Sequence, residues 1–127
     1  MKNFRDLTVW QKSHQLALAA YRQTASFPAA ERFGLTSQIR RSASSVPANI
    51  AEGCGRRGNA EFHRFLQVAM GSTSEVEYHF LLAHDLNYLS GERYRDLSGR
   101  VSEVKRMLAA LLLRVDGERQ QSKAAGL

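Results

Sequence analysis

Apolar residues along this chain recur at helical spacing and nowhere alternate as a half-buried strand would. A first helix is predicted from about Val9 to Ser26. Val9, Ser13, Leu16, Ala20 and Thr24 lie on one stripe, with Trp10, Ala17 and Tyr21 beside it. Thr8 and Gln11 have the spacing of a capping box with Thr8 as N-cap, and Pro28 closes the segment. After the connector FPAAERFG, a second helix is expected from about Leu35 to Cys54 on the stripe Leu35, Ile39, Ala43, Val46 and Ile50, stopped by the glycines of GCGRRGN. A third runs from about Ala60 to Tyr88 with Asn59 as N-cap. Its seam of Phe62, Leu66, Ala69, Thr73, Val76, Phe80 and Ala83 alternates steps of four and three. The fourth, from about Glu92 to Val115, keeps those steps through Tyr94, Leu97, Val101, Val104, Leu108, Leu111 and Val115. Residues 116–127 lose the pattern and are expected to fray. Four helices of similar length with short connections predict an all-α, antiparallel up-down-up-down four-helix bundle, one domain spanning residues 1–127.

Pro47 interrupts the second stripe. It has no N–H and crowds the carbonyl of Ala43, which costs about 3 kcal/mol in a plain helix. If the second and third helices fold back near residue 57, Ala43 faces roughly Gly71. Gly71 then permits close approach, and Ser72 or Thr73 can donate to the freed carbonyl. Pro47 therefore reads as a kink nested against Gly71 and Ser72, with a hinge as the functional alternative. In the pairing of the first two helices Trp10 falls near Ala51, so its indole N–H finds an acceptor in Glu52 or Asn49. Glu52 also precedes Arg56 by four residues, the favoured order for a helical ion pair.

Composition narrows the class. The chain has 127 residues, 43% of them hydrophobic, and a net charge of +6. No apolar run approaches the ~20 residues of a membrane span, and MKNFRDLTVWQKS has no apolar core of a signal peptide. A single cysteine, Cys54, excludes an internal disulfide and points to a cytoplasmic protein with a reduced thiol. Charge is segregated. Residues 32–64 hold six arginines against Glu52 and Glu61, whereas residues 65–91 hold Glu75, Glu77 and Asp85 with no Lys or Arg.

No catalytic constellation emerges. No glutamate has a histidine three residues later, and Glu75 with His79 lacks partner ligands for a metal. Ser42, Ser44 and Ser45 fit no nucleophile motif, and GCGRRG follows a helix rather than a strand. Neither catalysis nor a cofactor or metal is expected. Cys54 reads as a small residue in a tight cap, or as a thiol whose pKa nearby arginines lower. The best functional signal is Arg40, Arg41, Arg56, Arg57 and Arg64, which read equally as phosphate contacts or as a solvated face. Aromatic residues do not interleave with them, so any nucleic-acid binding is expected to be backbone-directed and weakly sequence-specific. The third helix carries Tyr78, Leu81, Leu82, Leu86 and Leu89 beyond its seam. That excess predicts either self-association or a thicker internal core.

The stretches DLTVWQKSHQLALAAY, FPAAERFGLTSQIRRSASSVPANIAEGCGR and FLQVAMGSTSEVEYHFLLAHDLNYL resemble the four-helix bundle proteins encoded in intervening sequences of bacterial large-subunit ribosomal RNA genes. That family is related to the accessory variability determinant of diversity-generating retroelements. The resemblance covers residues 4 to about 89. It implies a four-helix bundle assembled as a homopentameric barrel and, for some members, binding to RNA or DNA and to a partner protein such as a reverse transcriptase. Many members have no known activity. The combined expectation is a non-enzymatic, homo-oligomeric scaffold that contacts nucleic-acid phosphates through arginines. The alternative is a protein-interaction scaffold with no nucleic-acid role.

Overall fold

The structure, a computed structural model, describes residues 2–126. Helices α1 (Thr8–Thr24), α2 (Leu35–Gly55), α3 (Gly58–Asp85) and α4 (Gly91–Ala124) are preceded and joined by short 3-10 turns at Phe4–Asp6 and Ala29–Glu31. No strand occurs among the described residues. Helix α2 packs on α1 and α3, and α4 packs on α3 and α1, so the four close around one core. The core is made by the expected stripes: Leu16, Ile39, Ile50, Leu66, Val76, Phe80, Leu97 and Leu108 are fully buried. Each such side chain contributes about 1.5–3 kcal/mol by leaving water.

Helix ends depart from the expected caps. Leu7, not Thr8, is the N-cap of α1, and no side chain caps it. The turn at Phe4–Asp6 delivers an extended Leu7, whose carbonyl accepts from Gln11 N at 3.1 Å. Gln11 does reach back, but its side-chain amide donates to the Arg5 carbonyl at 2.8 Å. Arg57 rather than Asn59 is the N-cap of α3, and the Asn59 amide instead donates to Glu118 at 3.0 Å. Helix α3 stops at Asp85, short of Tyr88. Asn87 takes a left-handed conformation (φ 65°), and Tyr88 N donates to Ala83 O at 2.8 Å while Asn87 N donates to His84 O at 2.9 Å. Those two bonds form a Schellman closure, with asparagine in the place glycine usually fills. Ser90 then caps α4 by accepting from Arg93 N. Helix α4 continues through Ala124 where fraying was expected, although Val115 is its last buried residue.

One carboxylate organises the end of the bundle opposite the α2–α3 corner. Glu31 accepts Leu35 N at 3.1 Å with one oxygen, serving the first turn of α2, and the Tyr88 hydroxyl at 2.9 Å with the other. That hydrogen bond is the main reason the Tyr88 phenol is held above its ordinary pKa.

Helix α2 is continuous across the buried Pro47. Ser45 and Ser72 hydroxyls meet at 2.9 Å, and the Asn49 side chain donates to both Ser45 O and Ser45 Oγ. The expected donors to Ala43 are spent elsewhere, since the Thr73 hydroxyl serves Ala69 O at 2.7 Å. Gly71 is not the point of close approach. It is exposed, and a Cβ there would meet nothing within 4 Å. Contacts at Ser45–Ser72 and Arg41–Glu75 set Ala43 level with residues 73–74 rather than with Gly71, which lies off the seam marked by Ala69 and Thr73. Gly53 is the glycine that needs to be one: a Cβ there would stand 3.1 Å from Phe62 Cδ1 and closer still to Phe65. Trp10 also differs from expectation. Its indole stacks on His14 at 5.0 Å and tilts against Phe4 at 4.9 Å, while Glu52 pairs with Arg56 and Asn49 with Ser45.

Candidate functional site

The arginines divide into two groups, Arg40 and Arg41 on α2 and Arg56, Arg57 and Arg64 around the α2–α3 corner. Arg40 and Arg56 stand roughly 24 Å apart along the axis at ~1.5 Å per residue. Arg40 is structural in its contacts. Its Nε donates to Thr24 Oγ1 at 2.9 Å, its terminal nitrogen donates to Tyr21 O at 3.3 Å, and its guanidinium lies 4.8 Å from the Tyr21 ring centroid. It thereby closes the C-terminal turn of α1. Arg41 crosses to α3 and pairs with Glu75 at 2.7 Å.

Arg56, Arg57 and Arg64 gather at the α2–α3 corner. Arg56 pairs with Glu52 at 2.9 Å as the sequence predicts, and Arg64 forks onto both oxygens of Glu61 at 2.9 and 3.2 Å. Glu61 is held below the usual carboxylate range chiefly by that hydrogen bond. Both guanidiniums rest against Phe65, at 5.3 and 4.4 Å from its centroid. Phe65 is buried, so it supports the cations but offers no open face to a base. Arg57 is exposed and has no carboxylate partner among the described residues.

A cleft of about 610 Å³ opens at this corner, lined by Lys2, Arg56, Arg119 and Lys123 along with Gly53, Cys54, Phe62 and the first turn of α3. Sequence reasoning missed three of its four cations. Lys2 arrives because its backbone N–H donates to Cys54 O at 3.3 Å, and its ammonium sits 4.7 Å from the Phe62 centroid. Arg119 and Lys123 arrive because α4 does not end at Val115. The Asp116–Arg119 pair, three residues apart, was the available signal for that extension. Cys54 is a buried wall of the cleft. Burial pushes its thiol pKa up and outweighs the opposing effect of Lys2, so the thiol is not the activated one that neighbouring arginines suggested.

Elsewhere, Glu75 is engaged by Arg41, and His79 is buried with no partner for Nδ1. No group of three or more His, Cys, Asp or Glu side chains is placed to hold a metal among the described residues. No helix among them is long and apolar enough to cross a membrane. The apolar excess of α3 is only partly on the surface. Tyr78, Leu81 and Leu86 are exposed, Leu82 is half-buried against the core, and Leu89 is 3% exposed within it. Leu89 follows the left-handed turn at Asn87 and so leaves the α3 surface for the chain's own core, where it is closed to any partner. Among the described residues the most exposed large apolar side chains, Phe33 at 89% and Leu113 at 74%, lie on other elements.

Comparison with curated proteins gives no match. Among solved structures, a protein of unknown function from the S23 ribosomal protein family of Bacteroides thetaiotaomicron superposes with a TM-score of 0.76 at 26% identity, over 82% of this chain and 94% of that one. The profile of the 23S rRNA-intervening sequence proteins matches residues 5–110, most of the bundle from the first 3-10 turn into α4. The chain therefore belongs to the 23S rRNA-intervening sequence protein family.

Proposed function

We propose that this protein is a non-enzymatic scaffold that self-associates, as a homopentamer, and engages the phosphates of RNA or DNA with weak sequence specificity. The carrying observation is the α2–α3 corner, where Arg56 and Arg64 lie over the same Phe65 ring and exposed Arg57 stands between them in the chain. Arg56 and Arg64 are paired only through exposed ion pairs, which phosphate oxygens can replace at little cost. Arg40 and Arg41 take a smaller part, because their guanidiniums are engaged by α1 and α3. The contacts Gly53–Phe65, Ser45–Ser72 and Arg41–Glu75 support the antiparallel course of the bundle. Tyr78, Leu81 and Leu86 support self-association.

The test is binding to single- and double-stranded RNA and DNA across a salt series, on protein whose mass in solution is measured. Log affinity should fall linearly with log salt, and scrambled oligonucleotides should bind as well as native ones. Exposed Phe33, Leu113 and Tyr78 favour a second reading, a protein-interaction scaffold. Salt-insensitive or absent nucleic-acid binding would select it.

A further inference from the structure

The cleft at the α2–α3 corner has more shape than a phosphate-contacting surface requires. Its lining comes from three separate stretches of chain: the N-terminal segment, the corner itself and the last turns of α4. Each stretch contributes a cation, and no carboxylate lines the cleft among the described residues. Lys2 and Lys123 have no carboxylate partner among the described residues. Arg56 and Arg119 each have one, Glu52 at 2.9 Å and Asp116 at 3.5 Å, and both carboxylates lie outside the lining. Of the other acids nearby, Glu118 is turned to the Asn59 amide and Glu61 to Arg64. The volume of about 610 Å³ falls within the ~300–1,000 Å³ usual for small-ligand sites.

Concavity discriminates between kinds of phosphate. A phosphodiester in mid-strand carries one charge and a sugar on each side, so it suits an open basic face. A terminal phosphomonoester carries about −1.5 to −2 charges. It has three free oxygens and a sugar on one side only, so cations can surround it. We infer that this cleft seats the phosphomonoester at the end of a nucleic-acid strand, with Lys2, Arg56, Arg119 and Lys123 around its oxygens. The inference rests on the nucleic-acid reading of the same corner and adds the form of ligand it prefers.

The experiment compares one oligonucleotide in three forms: phosphorylated at the 5′ end, phosphorylated at the 3′ end, and hydroxyl-terminated. Binding is measured to the full chain at fixed salt. One phosphorylated form should bind about tenfold tighter than the hydroxyl form, the worth of a charge-assisted hydrogen bond. The ratio should fall towards one in Arg119→Gln/Lys123→Gln and in Ser122→Glu, which places a carboxylate in the cleft. Each variant's own hydroxyl-terminated affinity serves as the reference, and circular dichroism checks its helices. Equal affinity for all three forms in the wild type overturns the inference while leaving the nucleic-acid reading standing. Binding of none of them overturns both. A nucleoside monophosphate or inorganic phosphate that binds, with no gain for any phosphorylated strand, overturns the strand-end assignment in favour of a free phosphate.

Discussion

Gly53 of α2 lies so close to Phe65 of α3 that a Cβ on the glycine would stand 2.9 Å from the phenylalanine Cβ. Neither atom is the end of a flexible side chain, so an added methyl has to move backbone. Gly53→Ala should lower stability by about 1–3 kcal/mol despite the better helix propensity of alanine. Gly71→Ala, made in open space on the neighbouring helix, should be neutral or stabilising by up to about 1 kcal/mol. Urea denaturation of the pair decides it, and equal midpoints for the two variants would refute the close contact.

Arg40 and Arg57 should separate stability from binding. Arg40→Ala removes the donors to Thr24 and Tyr21 and the cover on the Tyr21 ring. It should cost about 1–3 kcal/mol, with little change in salt-dependent affinity. Arg57→Gln should leave the melting temperature unchanged and flatten the slope of log affinity against log salt by roughly 0.7–0.9 for each phosphate no longer neutralised. The opposite pattern would return Arg40 to the binding surface.

His79 gives the fold a sensitivity to acid. Burial depresses its pKa, with Glu75 opposing the shift and Arg41 adding to it, and Nδ1 has no hydrogen-bond partner. The unfolded chain therefore binds a proton more readily than the folded one. Stability contributed by the neutral ring is fully present above about pH 6.5 and declines as pH falls from there toward the folded pKa. Urea midpoints at pH 7 and pH 5 should differ more in the wild type than in His79→Leu. An equal drop in both would assign the acid sensitivity to other groups.

Cys54 should react slowly with thiol reagents in the folded protein, because it is buried and its thiolate is disfavoured. Lys2 N–H donates to Cys54 O, so removing residues 1–6 should expose the thiol and speed its labelling while the bundle stays folded. Labelling at an unchanged rate would mean that α2 and α3 alone protect it.

The bundle was legible because its seams are long. Every residue expected on the α3 seam, from Phe62 to Ala83, is buried, as are the α4 seam residues Leu97, Val101, Val104, Leu108, Leu111 and Val115. Features settled by a single contact were not legible. Gly71 stands two residues from both Ala69 and Thr73 and so off the α3 seam, whereas Gly53 follows Ile50 by three and continues the α2 stripe; the close approach depends on that phase and on which α3 side chains lie opposite, Phe62 and Phe65. Thr8 and Gln11 match a capping box, yet the preceding turn moves the helix start by one residue and redirects Gln11 to Arg5. The corner arginines were visible as a local cluster in the sequence. The cleft was not, since Lys2 and Lys123 are brought together only by folding, and the α4 extension that carries Lys123 has no apolar seam to announce it.

Glu31 holds the N-terminal turn of α2 with one oxygen and the Tyr88 hydroxyl, beside the α3–α4 turn, with the other. Two connections far apart in sequence thus share a single latch. Neither can open fully without releasing the other, so their amides should exchange with deuterium as one cooperative unit rather than as two independently breathing loops. Glu31→Gln would show this by loosening the protection of Leu35 and Tyr88 in parallel.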